Sequence, residues 1–133
     1  MYDLGCGDGT VPILAAKKFG CRARGIDLDP ALVARARAGA AAAGVGDRCT
    51  FVTGRIEEAG AKHGLRDATV VYLFQISQYF PTVDLLGSVL DELRPGTFGR
   101  YVRPSTENQV SGVSFEPFSA GLTSVVRGIF LVI

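Results

Sequence analysis

The chain has 133 residues, with 14 basic and 13 acidic side chains and a formal net charge of +1. That balance offers no attractive field to a nucleic acid, and 47% hydrophobic with 20% charged residues fits a single soluble globular domain. Cys6, Cys21 and Cys49 are odd in number and lack metal-ligand spacing, so they imply neither a disulfide framework nor a zinc site and suit a reducing cytoplasm.

Met1–Leu4 reads as the tail of a buried strand whose beginning is missing, since such strands usually run to about five or six residues. No signal peptide precedes it, and no apolar run is long enough to span a bilayer. Gly5 to Gly9 forms a glycine-rich turn. Thr10–Phe19 follows as a mostly apolar helix, with Lys17 and Lys18 in its last turn and Gly20 as its stop.

Arg22–Leu28 reads as a second strand. Asp29 then caps a helix with Pro30 at its first position. That helix, Pro30–Ala43, places Leu32, Val33, Ala36 and Ala40 on one stripe, and Gly44–Asp47 stops it. Cys49–Thr53 is a third strand. Ala61–Arg66 reads as a surface loop, with His63 solvated rather than acting as a base.

Ala68–Phe74 is a near-continuous apolar run, as in a strand buried on both faces of a parallel sheet. Thr82–Leu93 is an amphipathic helix closed by Pro95 and Gly96. Alternating strands and helices over residues 1–96 predict an α/β fold: a mostly parallel sheet with flanking helices. The texture changes after Thr97. Short strands are expected near Phe98–Arg103, Val110–Phe115 and Val125–Ile133, so residues 1–97 form the core and 98–133 a divergent tail, read as strand five and a partial terminal hairpin.

The sequence Asp3-Leu4-Gly5-Cys6-Gly7-Asp8-Gly9 follows a strand and opens a helix. Glycines let the backbone turn tightly and approach a ligand closely, and the helix start offers free N–H groups. A dinucleotide would seat its pyrophosphate at such a loop, with the spacing G-x-G-x-x-G. Here the spacing is one residue shorter, and Asp3 and Asp8 bracket the turn, where they would repel a diphosphate and favour a cationic ligand. Asp27, at the end of the second strand, can accept both hydroxyls of a ribose. The plainer alternative is a simple strand–helix turn in which Asp8 caps the helix.

On these residues the chain resembles the class I (seven-strand, Rossmann-like) S-adenosylmethionine-dependent methyltransferases. Tyr2–Gly9 is similar to their first motif and Gly25–Pro30 to the segment after it. The likeness continues through Phe51–Gly54, Asp67–Phe74 and Leu93–Thr97. Within the class, Asp67–Thr97 is similar to a bacterial group related to protein-lysine methyltransferases. The resemblance implies S-adenosyl-L-methionine as cofactor and an unidentified methyl acceptor, a protein side chain or a small molecule.

It also implies the site. Asp3 would face the methionine ammonium, and Gly5, Cys6, Gly7, Asp8 and Gly9 would form the cradle. Asp27 and Leu28 would meet the ribose, and Arg55 and Ile56 would lie by the adenine. Phe74 and Gln75 would stand at the mouth of strand four beside the methyl group. Gln75, Ser77 and Tyr79 could face the substrate or be ordinary loop groups. Cys6 has no neighbouring base and reads chemically as packing.

Three departures stand out. Members of the class usually carry an Asp where this chain has Arg55, leaving Glu57 or Glu58 as a replacement. The N-terminal helices that normally cover the cofactor are absent, and the likeness fades at Thr97. The alternative function is therefore a truncated, catalytically inactive relative that binds the cofactor weakly or not at all. A nicotinamide-dependent oxidoreductase domain is disfavoured by the loop.

Overall fold

The computed structural model describes residues 1–74, 92–94, 97–102 and 130–132. Its elements alternate as expected. Strand β1 (Tyr2–Leu4) leads through the glycine turn to helix α1 (Thr10–Phe19). Then come β2 (Ala23–Asp27), α2 (Pro30–Ala42), β3 (Cys49–Thr53), a short helix α3 (Ala59–His63), β4 (Val70–Phe74), β5 (Phe98–Val102) and β6 (Phe130–Val132). The strands form one sheet in the order β3-β2-β1-β4-β5-β6, and every pairing is parallel.

That order is the doubly wound Rossmann arrangement, and it reverses between β1 and β4. The C-terminal ends of those two strands therefore flank the crevice where ligands bind in such sheets. Register places Leu4 beside Leu73, so Phe74 ends β4 next to the first glycine of the turn.

Two apolar layers cover the sheet. On one side Cys6, Ala16, Val33, Ala36, Ala40 and Phe51 pack under α1 and α2. On the other, Tyr2, Leu4, Ile26, Leu65, Val71 and Leu73 pack with Ala59 and Leu93. Cover on both faces explains why β4 carries an apolar run rather than alternation, whereas β1, equally buried, holds the charged Asp3 at its centre. In α2 the stripe is confirmed by Val33, Ala36 and Ala40, which are almost fully buried, while Leu32 is half-buried.

Several expected boundaries move. The second strand loses both ends, because Arg22 and Leu28 are exposed and the chain turns at Asp27. Helix α2 ends at Ala42, where Gly44 adopts a left-handed φ of 72°. Strand β4 starts at Val70. Ala68 instead closes a 3-10 turn at Leu65–Asp67, and its carbonyl accepts a hydrogen bond from buried Thr97 Oγ1 at 3.1 Å.

The loop expected at Ala61–Arg66 is a correction. The segment holds the end of α3 and the start of that 3-10 turn, separated by Gly64. Ala59 and Leu65 are fully buried and staple it to the sheet. Elements this short show no periodicity to read.

Strand five is present, and β6 falls within the apolar C-terminal stretch. Because β6 runs parallel to β5, these two strands are not a hairpin. The expected strand at Val110–Phe115 and nearly all of the helix at Thr82–Leu93, with Pro95 and Gly96, lie outside the described residues.

Candidate active site

The glycine turn is tied to the end of β2. The N–H groups of Gly5 and Cys6 both donate to the Ile26 carbonyl, at 2.9 and 3.0 Å, and that of Gly9 donates to the Cys6 carbonyl at 2.9 Å. The Gly7 N–H donates to Asp27 Oδ2 at 2.8 Å. Asp8 Oδ1 accepts from the Thr10 hydroxyl at 2.7 Å and from its N–H at 3.2 Å. Most donors that a diphosphate would use at such a turn are therefore already engaged inside the protein.

The three glycines of the turn all have positive φ, of 80°, 54° and 79°, a region that side chains enter only with strain. Their surroundings differ. Among the described residues, a Cβ on Gly5 or Gly7 would meet nothing within 4 Å. A Cβ on Gly9 would lie 2.7 Å from Ala36 Cβ and 2.9 Å from the Phe51 ring. Gly9 lets α1 close onto α2 and β3, and that packing accounts for it without a ligand.

Asp3 lies in β1 opposite Gly25 and Tyr72 in the neighbouring strands. It is 2% exposed, and among the described residues its Oδ1 has no hydrogen-bond partner. Burial, and secondarily the charge of Asp27, push its pKa up to about 7. Among the described residues no counter-charge reaches this carboxylate.

Asp27 is half-buried, and both its oxygens are used: Oδ2 by Gly7, and Oδ1 by the Asp29 N–H at 3.0 Å. Each oxygen retains a second lone pair for further donors. Asp29 itself caps α2, accepting from Ala31 and Leu32. Leu28 is 63% exposed beside it. The Gly54 N–H donates to the Asp27 carbonyl at 2.9 Å, which brings the segment after β3 alongside β2.

In that segment Arg55 is exposed and pairs with Glu57 at 2.8 Å, and Ile56 packs partly against the core. Glu58 pairs with Lys62 at 2.7 Å. Both candidate replacement carboxylates thus carry a cationic partner of their own.

Asp8 is exposed. Its bonds to Thr10, with a looser contact from Arg35 at 3.9 Å, hold its pKa below the usual carboxylate range. Its side chain closes a local turn onto Thr10, two residues on; the cap position of α1 is Gly9, which makes no side-chain cap bond, so Asp8 does not cap the helix. Cys6 is buried in the core, its thiol pushed to about 12 by burial first and then by Asp3 and Asp27, which leaves it unreactive. Phe74 ends β4 at the crevice. Gln75, Ser77 and Tyr79 lie outside the described residues. His63 closes α3 half-buried, and its carbonyl accepts Arg24 Nη1 at 2.6 Å.

Two features escaped the sequence reading. Gly25 is a slot for Cys6: a Cβ there would lie 2.7 Å from both Cys6 Cβ and Sγ. The Asp27–Gly7 bond joins residues 20 positions apart, and no local pattern signals it. Among the described residues no group of three or more His, Cys, Asp or Glu could hold a metal ion, and no helix is long and apolar enough to cross a membrane.

Residues 3–98 match the model of the ANTKMT methyltransferase domain. A protein-lysine N-methyltransferase of Saccharolobus islandicus (strain REY15A) is 35% identical over 99 residues, covering 73% of this chain and 57% of that protein. Among solved structures, an RNA methyltransferase from Salinibacter ruber in complex with S-adenosyl-L-homocysteine shares 40% identity at a TM-score of 0.61, covering 72% of this chain and 59% of that one. A SAM-dependent methyltransferase from Thiobacillus denitrificans, also with S-adenosyl-L-homocysteine, shares 26% identity at a TM-score of 0.57, covering 71% and 38%. The chain thus spans less than three fifths of the length of these relatives.

Proposed function

The chain belongs to the ANTKMT methyltransferase domain family, and from that premise we propose that it is an S-adenosylmethionine-dependent methyltransferase. One observation carries the reading. Among the described residues, a buried carboxylate, Asp3, has an orphan oxygen beneath a glycine turn where a Cβ on either of the first two glycines would meet nothing within 4 Å. That place wants positive charge on a ligand that lies close to the backbone.

S-adenosylmethionine fits it, because its ammonium and sulfonium outweigh its carboxylate. In this reading Asp3 faces the ammonium, Gly5 and Gly7 let the amino-acid moiety lie flat, and Asp27 takes the ribose hydroxyls on its remaining lone pairs. Leu28 borders the ribose, and Arg55 and Ile56 border the adenine. The bound sulfonium supplies an activated methyl carbon. The protein's part is to align it with the acceptor and exclude water. Phe74 ends β4 at the crevice where the acceptor would approach, and the family resemblance gives Gln75 the same part. The three free thiols, Cys6, Cys21 and Cys49, suit a cytoplasmic setting.

We propose a protein lysine as the acceptor. The likeness to a protein-lysine N-methyltransferase supports it, and the near-neutral charge argues against a phosphate backbone. Because the match spans 57% of that relative, a second reading is worth testing: a chain that binds the cofactor without catalysis.

Titration calorimetry with S-adenosyl-L-homocysteine and with NAD separates the ligand classes. Binding of the first and not the second is expected, and the reverse overturns the assignment. Transfer of labelled methyl to protein, RNA or neither then decides between acceptors and the non-catalytic reading.

A further inference from the structure

We infer that Asp27 is a positioning residue, whose carboxylate sets the shape of the glycine turn before any ligand arrives. It reaches in two directions. Oδ2 holds the Gly7 N–H at 2.8 Å, in the turn after β1, and Oδ1 holds the Asp29 N–H at 3.0 Å, at the cap of α2. One side chain therefore fixes the two loops that form neighbouring walls of the crevice.

The Gly7 tether matters because of where it falls. Gly5 and Cys6 are already held by the Ile26 carbonyl, and Gly9 by Cys6 and its packing on Ala36. Gly7 lies between these anchors, and a Cβ there would meet none of the described residues within 4 Å. Among the described residues, Asp27 is the only group outside the turn that its N–H meets. Without that acceptor a glycine has wide conformational freedom, and the cradle would lose its fixed floor. The bond also withholds the Gly7 N–H from any ligand phosphate, so the same contact shapes the turn and selects against diphosphates.

The coupling to the ribose rests on the function proposed above. If the diol binds Asp27's remaining lone pairs, ligand and turn share one carboxylate, and a substitution there has two separable effects.

Amide hydrogen exchange on the ligand-free protein isolates the first effect. In Asp27→Ala the Gly7 amide should exchange roughly tenfold or more faster, as expected for loss of a hydrogen bond to a charged group. Amides within β2 and α2 should keep their protection. Asp27→Asn, which replaces a charged acceptor with a neutral one, should give an intermediate rate at Gly7. If Asp27→Ala proves unfolded, the Asn variant carries the same test. An unchanged Gly7 rate in the folded variants overturns the inference, because the turn then holds its own shape. Failure of S-adenosyl-L-homocysteine to bind the unaltered protein would sink the proposed function and leave this readout intact.

Discussion

Gly9 packs directly on Ala36: a Cβ at position 9 would lie 2.7 Å from the Ala36 methyl, and φ there is +79°. The third glycine of the turn is thus a contact between α1 and α2, whereas a Cβ on Gly5 or Gly7 would meet none of the described residues within 4 Å. Gly9→Ala should cost about 2–4 kcal/mol, combining overpacking with left-handed strain. Gly7→Ala should cost only the backbone strain, about 1–2 kcal/mol, yet abolish S-adenosyl-L-homocysteine binding by placing a methyl in the cradle. Thermal melting and calorimetry on both variants check this. Equal stability losses, or a Gly7→Ala variant that binds normally, would contradict it.

Asp3 makes stability depend on pH and, under the function proposed above, ligand binding as well. Its folded pKa, about 7, is above the ordinary 3.8, so the native state keeps a proton that the unfolded chain has already lost. Stability of the ligand-free protein should therefore fall as pH climbs from about 4 toward 7, then level off. Binding of a cationic ligand should run the other way, strengthening up to about tenfold per unit as pH approaches 7 and Asp3 ionises. Asp3→Asn should flatten both curves and weaken binding. Chemical denaturation and calorimetry between pH 5 and 8 measure the two together.

The Gly25 slot predicts a steric cost far from any ligand. Gly25→Ala would press a methyl 2.7 Å from Cys6 Cβ and Sγ and 2.9 Å from the Phe51 ring. A loss of about 1–3 kcal/mol is expected. Adding Cys6→Ala removes the sulfur but leaves the Cβ, so it should restore only part of that loss. Full recovery in the double variant would show that the sulfur alone fills the slot.

Tyr2 predicts a substitution that does no harm. Its ring is buried, its hydroxyl meets no partner among the described residues, and burial raises its pKa to about 12. Removing an unsatisfied buried hydroxyl recovers its desolvation cost, about 1–3 kcal/mol. Tyr2→Phe should thus be neutral or stabilising in a denaturant melt, and a clear loss of stability would mean that the hydroxyl is satisfied.

The alternation of strands and helices is legible in the residue string alone. Helix α1 matched residue for residue from its apolar run, Lys17, Lys18 and Gly20, and β3 likewise. The Asp29-Pro30 cap fixed the start of α2 because capping is local chemistry, settled within three residues. The glycine turn and its two flanking acids were legible for the same reason. What each acid does was not. Asp3 and Asp8 look equivalent in the string, but one is buried with an oxygen that meets no partner among the described residues and the other is exposed and bonded to Thr10, a difference made by the layers packed over β1. Only the sheet brings Asp27 to Gly7 and Cys6 into the gap at Gly25. Such contacts depend on which strands become neighbours, and a parallel sheet joins strands that lie far apart along the chain.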